Sequence, residues 1–197
     1  MKYVKKIFKG CHYGFPFPFP KCLKKFETTK SKITGKPIYY DEHIIKFDDT
    51  IIYELPDEDQ MDVNKLFGFS YGFHHTNSDR IGFRYVPGKG VEIVLYSYCN
   101  GKRESTKHIA YVEIGKRYNV SLSVELYNKE RCIIPCVMDM DNYNAAPEIY
   151  SFYIYDNGES AKTKLRYSLG LYFGGNRRAP HTITIYDEQI KNKNKSK

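Results

Sequence analysis

The sequence predicts an all-β protein, an antiparallel β-sandwich, on three observations. The apolar content is weighted toward side chains that suit a pleated, half-buried surface: 19 Tyr and 12 Phe, with no Trp, in 197 residues. Short runs alternate apolar and polar residues with a period of two, separated by turn residues at hairpin spacing. No amphipathic helix longer than about ten residues can be drawn, and no internal repeat of fixed period is present. The length suits one domain with a sizeable core, and the hydrophobic fraction of 41% excludes a wholly disordered chain.

The elements follow in chain order. Residues 1–36 read as an extended basic arm. Its segment Phe15-Pro16-Phe17-Pro18-Phe19-Pro20 lacks a backbone donor at every second position and is held near polyproline II, so it cannot be a central strand. Phe15, Phe17 and Phe19 are expected to pack on the domain's own surface or into a neighbouring subunit. Strands are expected at 38–40, 44–47 and 51–53, with one short helical turn within 59–66. Leu66–Ser70 follows, and then Arg80–Val86, in which Ile81, Phe83 and Tyr85 point one way and Arg80, Gly82 and Arg84 the other. Pro87-Gly88-Lys89-Gly90 turns this run into Val91–Tyr98. Asn100-Gly101 is the strongest two-residue hairpin signal in the chain. Further strands are expected at 108–114, 118–127, 132–134, 149–155, 167–173 and 181–186, closing a β-domain over 37–187 ahead of a Lys-rich tail at 188–197.

Charge and cysteine usage bound the partners. The formal net charge is +8, concentrated in lysines at both ends, Lys2 to Lys25 and Lys191 to Lys197. Such ends attract anionic surfaces or simply solvate the chain. Nucleic acid is the least favoured partner, because the charge is not laid along an aromatic-rich recognition strand. The five cysteines are odd in number and irregularly spaced, which favours free thiols over a disulfide framework or a zinc site. No secretory apolar run opens the chain and none is long enough to span a bilayer, so synthesis and retention in the cytoplasm, without membrane contact, is the expectation.

Two constellations are candidates for ligand contact. The first is the polar loop His74-His75-Thr76-Asn77-Ser78-Asp79 with Arg80 and Arg84. Loops on a rigid sheet are where binding groups sit, and two arginines on one strand face offer forks for carboxylate or phosphate. Adjacent histidines on a strand would face opposite ways, which argues against a shared metal. The second is Tyr172-Phe173-Gly174-Gly175-Asn176-Arg177-Arg178-Ala179-Pro180-His181, where the glycines permit a sharp corner and Tyr172, Asn176, Arg177 and His181 stand at its rim. No catalytic elbow, zinc-protease helix or dinucleotide loop is present, and neither a metal nor a cofactor is expected.

The stretches Leu66-Phe67-Gly68-Phe69-Ser70 through Arg84, and Leu169-Gly170-Leu171-Tyr172-Phe173-Gly174-Gly175-Asn176 with Ala179-Pro180-His181, resemble concanavalin-like jelly-roll modules related to alginate and heparin lyases, which also occur in Bacteroidetes and their phages. The resemblance covers roughly 60–187 and implies a jelly roll that takes an acidic glycan. The lyases' Gln-x-His strand is absent. Their Arg-x-Glu-Leu-Arg strand is echoed by Arg80 and Arg84 without the Glu. Their Tyr-Phe-Lys-Ala-Gly-x-Tyr is echoed by Tyr172-Phe173-Gly174-Gly175, without the Lys and the second Tyr. With the catalytic pattern so reduced, the leading expectation is a non-catalytic structural or assembly protein acting through other protein subunits, best placed as an accessory bacteriophage virion component. The alternative is a carbohydrate-binding module or degenerate polysaccharide lyase on an acidic glycan.

Overall fold

A computed structural model describes residues 2–15, 28–30, 37–127, 129–142 and 144–189. The chain runs through β1 (Lys2–Ile7), β2 (Gly14–Phe15), β3 (Thr28–Lys30), β4 (Pro37–Phe47), β5 (Asn64–Tyr71), β6 (Ser78–Val86), β7 (Gly90–Cys99) and β8 (Lys102–Arg103). It continues through β9 (Lys107–Val112), β10 (Tyr118–Leu126), β11 (Glu130–Asp139), β12 (Glu148–Ile149) and β13 (Phe152–Tyr155). One helical turn, α1 (Glu159–Lys162), precedes β14 (Arg166–Leu169) and β15 (Ile183–Gln189).

These strands form two antiparallel sheets. The back sheet has the order β12-β11-β10-β4-β15-β1-β2, with β13 also on β11 and β3 on β4. The front sheet has the order β14-β5-β6-β7-β8, with β9 also on β7. Period-two alternation sends one set of side chains from each sheet into a shared core: Phe67, Phe69, Ile81, Phe83, Ile93 and Leu95 from the front meet Phe47, Leu122, Val124, Ile133 and Ile185 from the back. Each such side chain contributes roughly 1.5–3 kcal/mol by leaving water. The hairpins form where turn residues specify them. Asn100 and Gly101 both take positive φ, 49° and 81°, the geometry a two-residue loop between β7 and β8 requires.

The sequence expectations need four corrections. Residues 2–7 are not part of an arm: β1 pairs with β15 over six residues, and Lys5 forms an ion pair with buried Asp187, so a lysine-rich stretch that reads as solvated belongs to the sandwich. The expected strand at 51–53 begins instead as a 3₁₀ turn, Asp49–Ile51, because the Asp48 carboxylate accepts from the Thr50 amide and caps it. The sandwich ends at Gln189 rather than 187, since Glu188 and Gln189 pair with Ile44 and His43. The apolar run at 132–134 lies within the first half of the ten-residue β11. Phe17, Phe19 and the tail lysines lie outside the described residues.

Between the sheets sits a fully buried cation. Arg131, projecting from β11, lies 3.0 Å (Nε) from Asp79 and 2.9 Å (Nη1) from Asp156. It also donates to Ser160, to the Asn77 side chain and to the Tyr98 carbonyl. Asp79, Tyr98 and Asn77 all belong to the front sheet or to the turn that opens it, so this core network fixes the backbone directly behind the candidate site.

Candidate functional site

The outer face of the front sheet carries a cleft of approximately 350 Å³. Strand register explains both its floor and its walls. Gly68 lies opposite Arg80, and Arg80 opposite Tyr96; one step along, Tyr167, Ser70, Ser78 and Tyr98 stand in one row across four strands. The small residues Gly68, Ser70 and Ser78 are buried in these rows, while Arg80, Tyr96, Tyr98 and Tyr167 line the cleft. At Gly68 the backbones approach so closely that a Cβ would collide with the Asp79 carbonyl, so only glycine fits. The third row begins where the chain after β14 returns to β5: Tyr172 and Lys65 exchange backbone hydrogen bonds of 2.8 and 2.9 Å, and Tyr13 bridges to the far side of Tyr172.

Two cations lie in this cleft. Arg80 is 7% exposed, and its Nε is buried with no hydrogen-bond partner. Burial holds its pKa below the ordinary arginine range, opposed by the surrounding Tyr96, Tyr167, Tyr98 and Tyr172. Lys65, 8% exposed, places Nζ 4.5 Å from the Tyr96 ring centre and 5.5 Å from that of Tyr172. Burial and then the nearby Arg80 charge bring its pKa down to about 8, with Asp62 acting in the other direction. Among the described residues no carboxylate forms an ion pair with either cation. Charges taken this far out of water are costly unless something pairs with them.

The expected site residues divide sharply. His74 and His75 do reach the cleft, and both do so from the same side. They sit in a turn rather than a strand, with rings 4.3 Å apart, and the Ser78 hydroxyl donates to the His74 carbonyl at 2.6 Å. His74 Nδ1 lies 3.1 Å from the Tyr167 hydroxyl; burial, then Arg80 and His75, push its pKa down to about 4, so it is neutral near pH 7. Tyr172 forms the opposite wall, stacked on His12 at 5.3 Å. The others are elsewhere. The Asn77 side chain accepts from the Asn100 amide and from Arg131. Arg84 is bound to Glu92 at 2.5 Å and to the Met61 carbonyl, outside the cleft. Arg177 pairs with Asp57 on the surface, Asn176 is exposed away from the cleft, and His181 Nε2 lies 2.8 Å from the Thr50 carbonyl. Asn77, Arg177 and His181 are held by partners from distant segments, and Arg84 by its cross-strand neighbour Glu92 in the same hairpin.

Lys65, Tyr13, Tyr96, Tyr98 and Tyr167 were not expected. Tyr96 and Tyr98 were within reach, because the Pro87–Gly90 turn fixes a register that puts Tyr96 beside Arg80. Lys65 had no local signal; its Nζ lies in the space left by Gly174, 3.2 Å from where a Cβ on that glycine would stand. Among the described residues no group of three or more His, Cys, Asp or Glu side chains is gathered as for a metal ion, and no helix is long and apolar enough to cross a membrane.

The fold and this cleft define the class: a concanavalin-like jelly roll with a cationic, tyrosine-lined front face. No protein-family model and no curated protein matches the chain. Among solved structures it is similar to alginate lyase vAL-1 from Chlorella virus, with a TM-score of 0.51 and 11% identity over 94% of this chain and 81% of that one. The winged bean acidic lectin complexed with methyl-α-D-galactose (TM-score 0.42, 13% identity, 84% of this chain and 78% of that one) and lectin II from Ulex europaeus (TM-score 0.40, 13% identity, 97% and 99%) overlap more loosely. The alginate lyase establishes the fold.

Proposed function

We propose that the cleft receives a uronate unit of an acidic polysaccharide and cleaves the chain by β-elimination. One observation carries this: among the described residues two buried cations, Arg80 and Lys65, form no ion pair with a carboxylate in an open cleft walled by tyrosines. A substrate carboxylate would supply the missing charge, and tyrosine rings suit the apolar faces of sugars. The chemistry needs three roles. Arg80 pairs with the uronate carboxylate, which makes the proton on the adjacent carbon C5 easier to remove. Lys65, with a pKa of about 8, is neutral often enough near neutral pH to take that proton. Tyr96, whose pKa burial pushes up to about 12, keeps its phenolic proton and can hand it to the departing glycosidic oxygen. The C5–H and C4–O bonds break, a C4=C5 double bond forms, and no cofactor enters. The alginate lyase fold is consistent with this reading. The assembly role expected from the Phe-Pro arm and basic ends draws no support from the comparisons.

The test is incubation of the purified protein with polymannuronate, polyguluronate and polyglucuronate while following ultraviolet absorbance of the conjugated product. Absorbance that rises for at least one polymer and is lost in Lys65→Met supports elimination. Tight binding without any rise would reduce the protein to a glycan-binding module.

A further inference from the structure

The cleft does not end at Tyr172. Beyond Tyr172 lies the N-terminal segment, which runs into β2 at the edge of the back sheet and is docked along 171–179. Gly14 donates to the Leu171 carbonyl at 3.0 Å, Phe173 to His12 at 2.6 Å, Gly10 to Ala179 at 2.9 Å and Ala179 to Cys11 at 3.1 Å. Gly14 packs so tightly that a Cβ there would fall 2.6 Å from the Leu171 side chain. The segment is thus rigidly placed, and what it presents outward is apolar. Tyr13 is 61% exposed and meets Tyr172 edge-on, with ring centres 5.2 Å apart; Phe15 is 54% exposed, and Phe8, 46% exposed, has its ring centre 6.1 Å from that of Phe15. Tyr13 and Phe15 are two residues apart on one extended stretch and so share a face. Lys6 lies opposite Phe15 in the β1–β2 pair and is also exposed.

Three adjoining exposed aromatic rings on a fixed backbone are an interaction surface rather than incidental exposure. Its continuity with the cleft identifies the occupant. Tyr13 lines the cleft and heads the strip, and it stands two strands from Lys65, roughly 10 Å at the usual spacing. We infer that Tyr13, Phe15 and Phe8, with Lys6 beside them, form a further sugar subsite that stacks the units of the same polyuronate chain flanking the one held in the cleft. The rings meet the C–H faces of those sugars, and Lys6 meets a carboxylate. This rests on the proposed polyuronate reading and adds a length requirement to it: short oligosaccharides fill the cleft alone, and long ones gain the strip.

The experiment compares affinities of the full chain and of Phe15→Ala, Phe8→Ala and the double variant for a uronate disaccharide and for long oligomers of the same polymer. Both phenylalanines are exposed, so the variants should unfold at the wild-type midpoint. The expected result is a wild-type preference for long over short of at least tenfold, which falls to near parity in the double variant while disaccharide affinity is unchanged. A length preference unaltered in the double variant overturns the subsite. So does a change of oligomeric state in that variant with glycan affinity untouched, which would make the strip a protein contact. Absence of any uronate binding by the wild type would instead overturn the polyuronate reading itself.

Discussion

Arg131 and Arg80 are both buried arginines, they sit on either side of the front sheet, and they are held in opposite ways. Arg131, inside the sandwich, is enclosed by two carboxylates, two side-chain oxygens and a backbone carbonyl, and its pKa lies above the ordinary arginine range; burial opposes the charge, and Asp79 leads the groups that favour it. Arg80, outside, has tyrosine faces around it and an unpartnered Nε. The first is finished by the protein and serves the fold. The second is left for a ligand to finish. Asp79 and Arg80 are neighbours in sequence, so β6 alternation alone sends the ion-paired carboxylate inward and the cation without an ion pair outward.

The comparison breaks most visibly at Arg131. Arg131→Met leaves Asp79 and Asp156 buried without their counter-charge and should destabilise the protein by about 3–5 kcal/mol, read by urea unfolding. An equal loss in Arg80→Met would mean that the outer arginine is structural too. A smaller effect is expected from Gly68→Ala. The added methyl meets the Asp79 carbonyl and the Arg80 backbone, so about 1–3 kcal/mol of stability should be lost, and uronate affinity should drop with it because Arg80 is displaced. The finest probe is pH. Lys65 acts as a base only when neutral, and burial has lowered its pKa to about 8. The elimination rate should therefore rise about tenfold per pH unit below that value and level off above it. A rate independent of pH between 6 and 9 would remove Lys65 from the role of base.

Where the sequence was legible, the reason is local periodicity. Ile81, Phe83 and Tyr85 against Arg80, Gly82 and Arg84 announce a strand with an inner and an outer face, and the turns at Pro87–Gly90 and Asn100-Gly101 announce its pairings. Neither β1 nor Lys65 could be read so directly. The β1 strand is disguised by lysines, one of which is neutralised by Asp187 from the far end of the chain. Lys65 becomes a site residue only through Tyr172, 107 positions later, and through the space that Gly174 leaves beside it. Asn77 and Arg84 lie outside the cleft, where Arg131 from across the sandwich and Glu92 from the same hairpin bind them.

In the proposed reading Arg80 is completed by a substrate carboxylate. Calorimetric titration of wild type and Arg80→Met with a uronate oligosaccharide, and with the same oligosaccharide after reduction of its carboxyl groups, tests it most directly. Wild type should prefer the acidic form strongly. Arg80→Met should lose roughly thirtyfold or more in affinity for that form, change little toward the reduced one, and unfold at an unchanged or higher urea midpoint. Equal wild-type affinity for the acidic and the reduced oligosaccharide would contradict it.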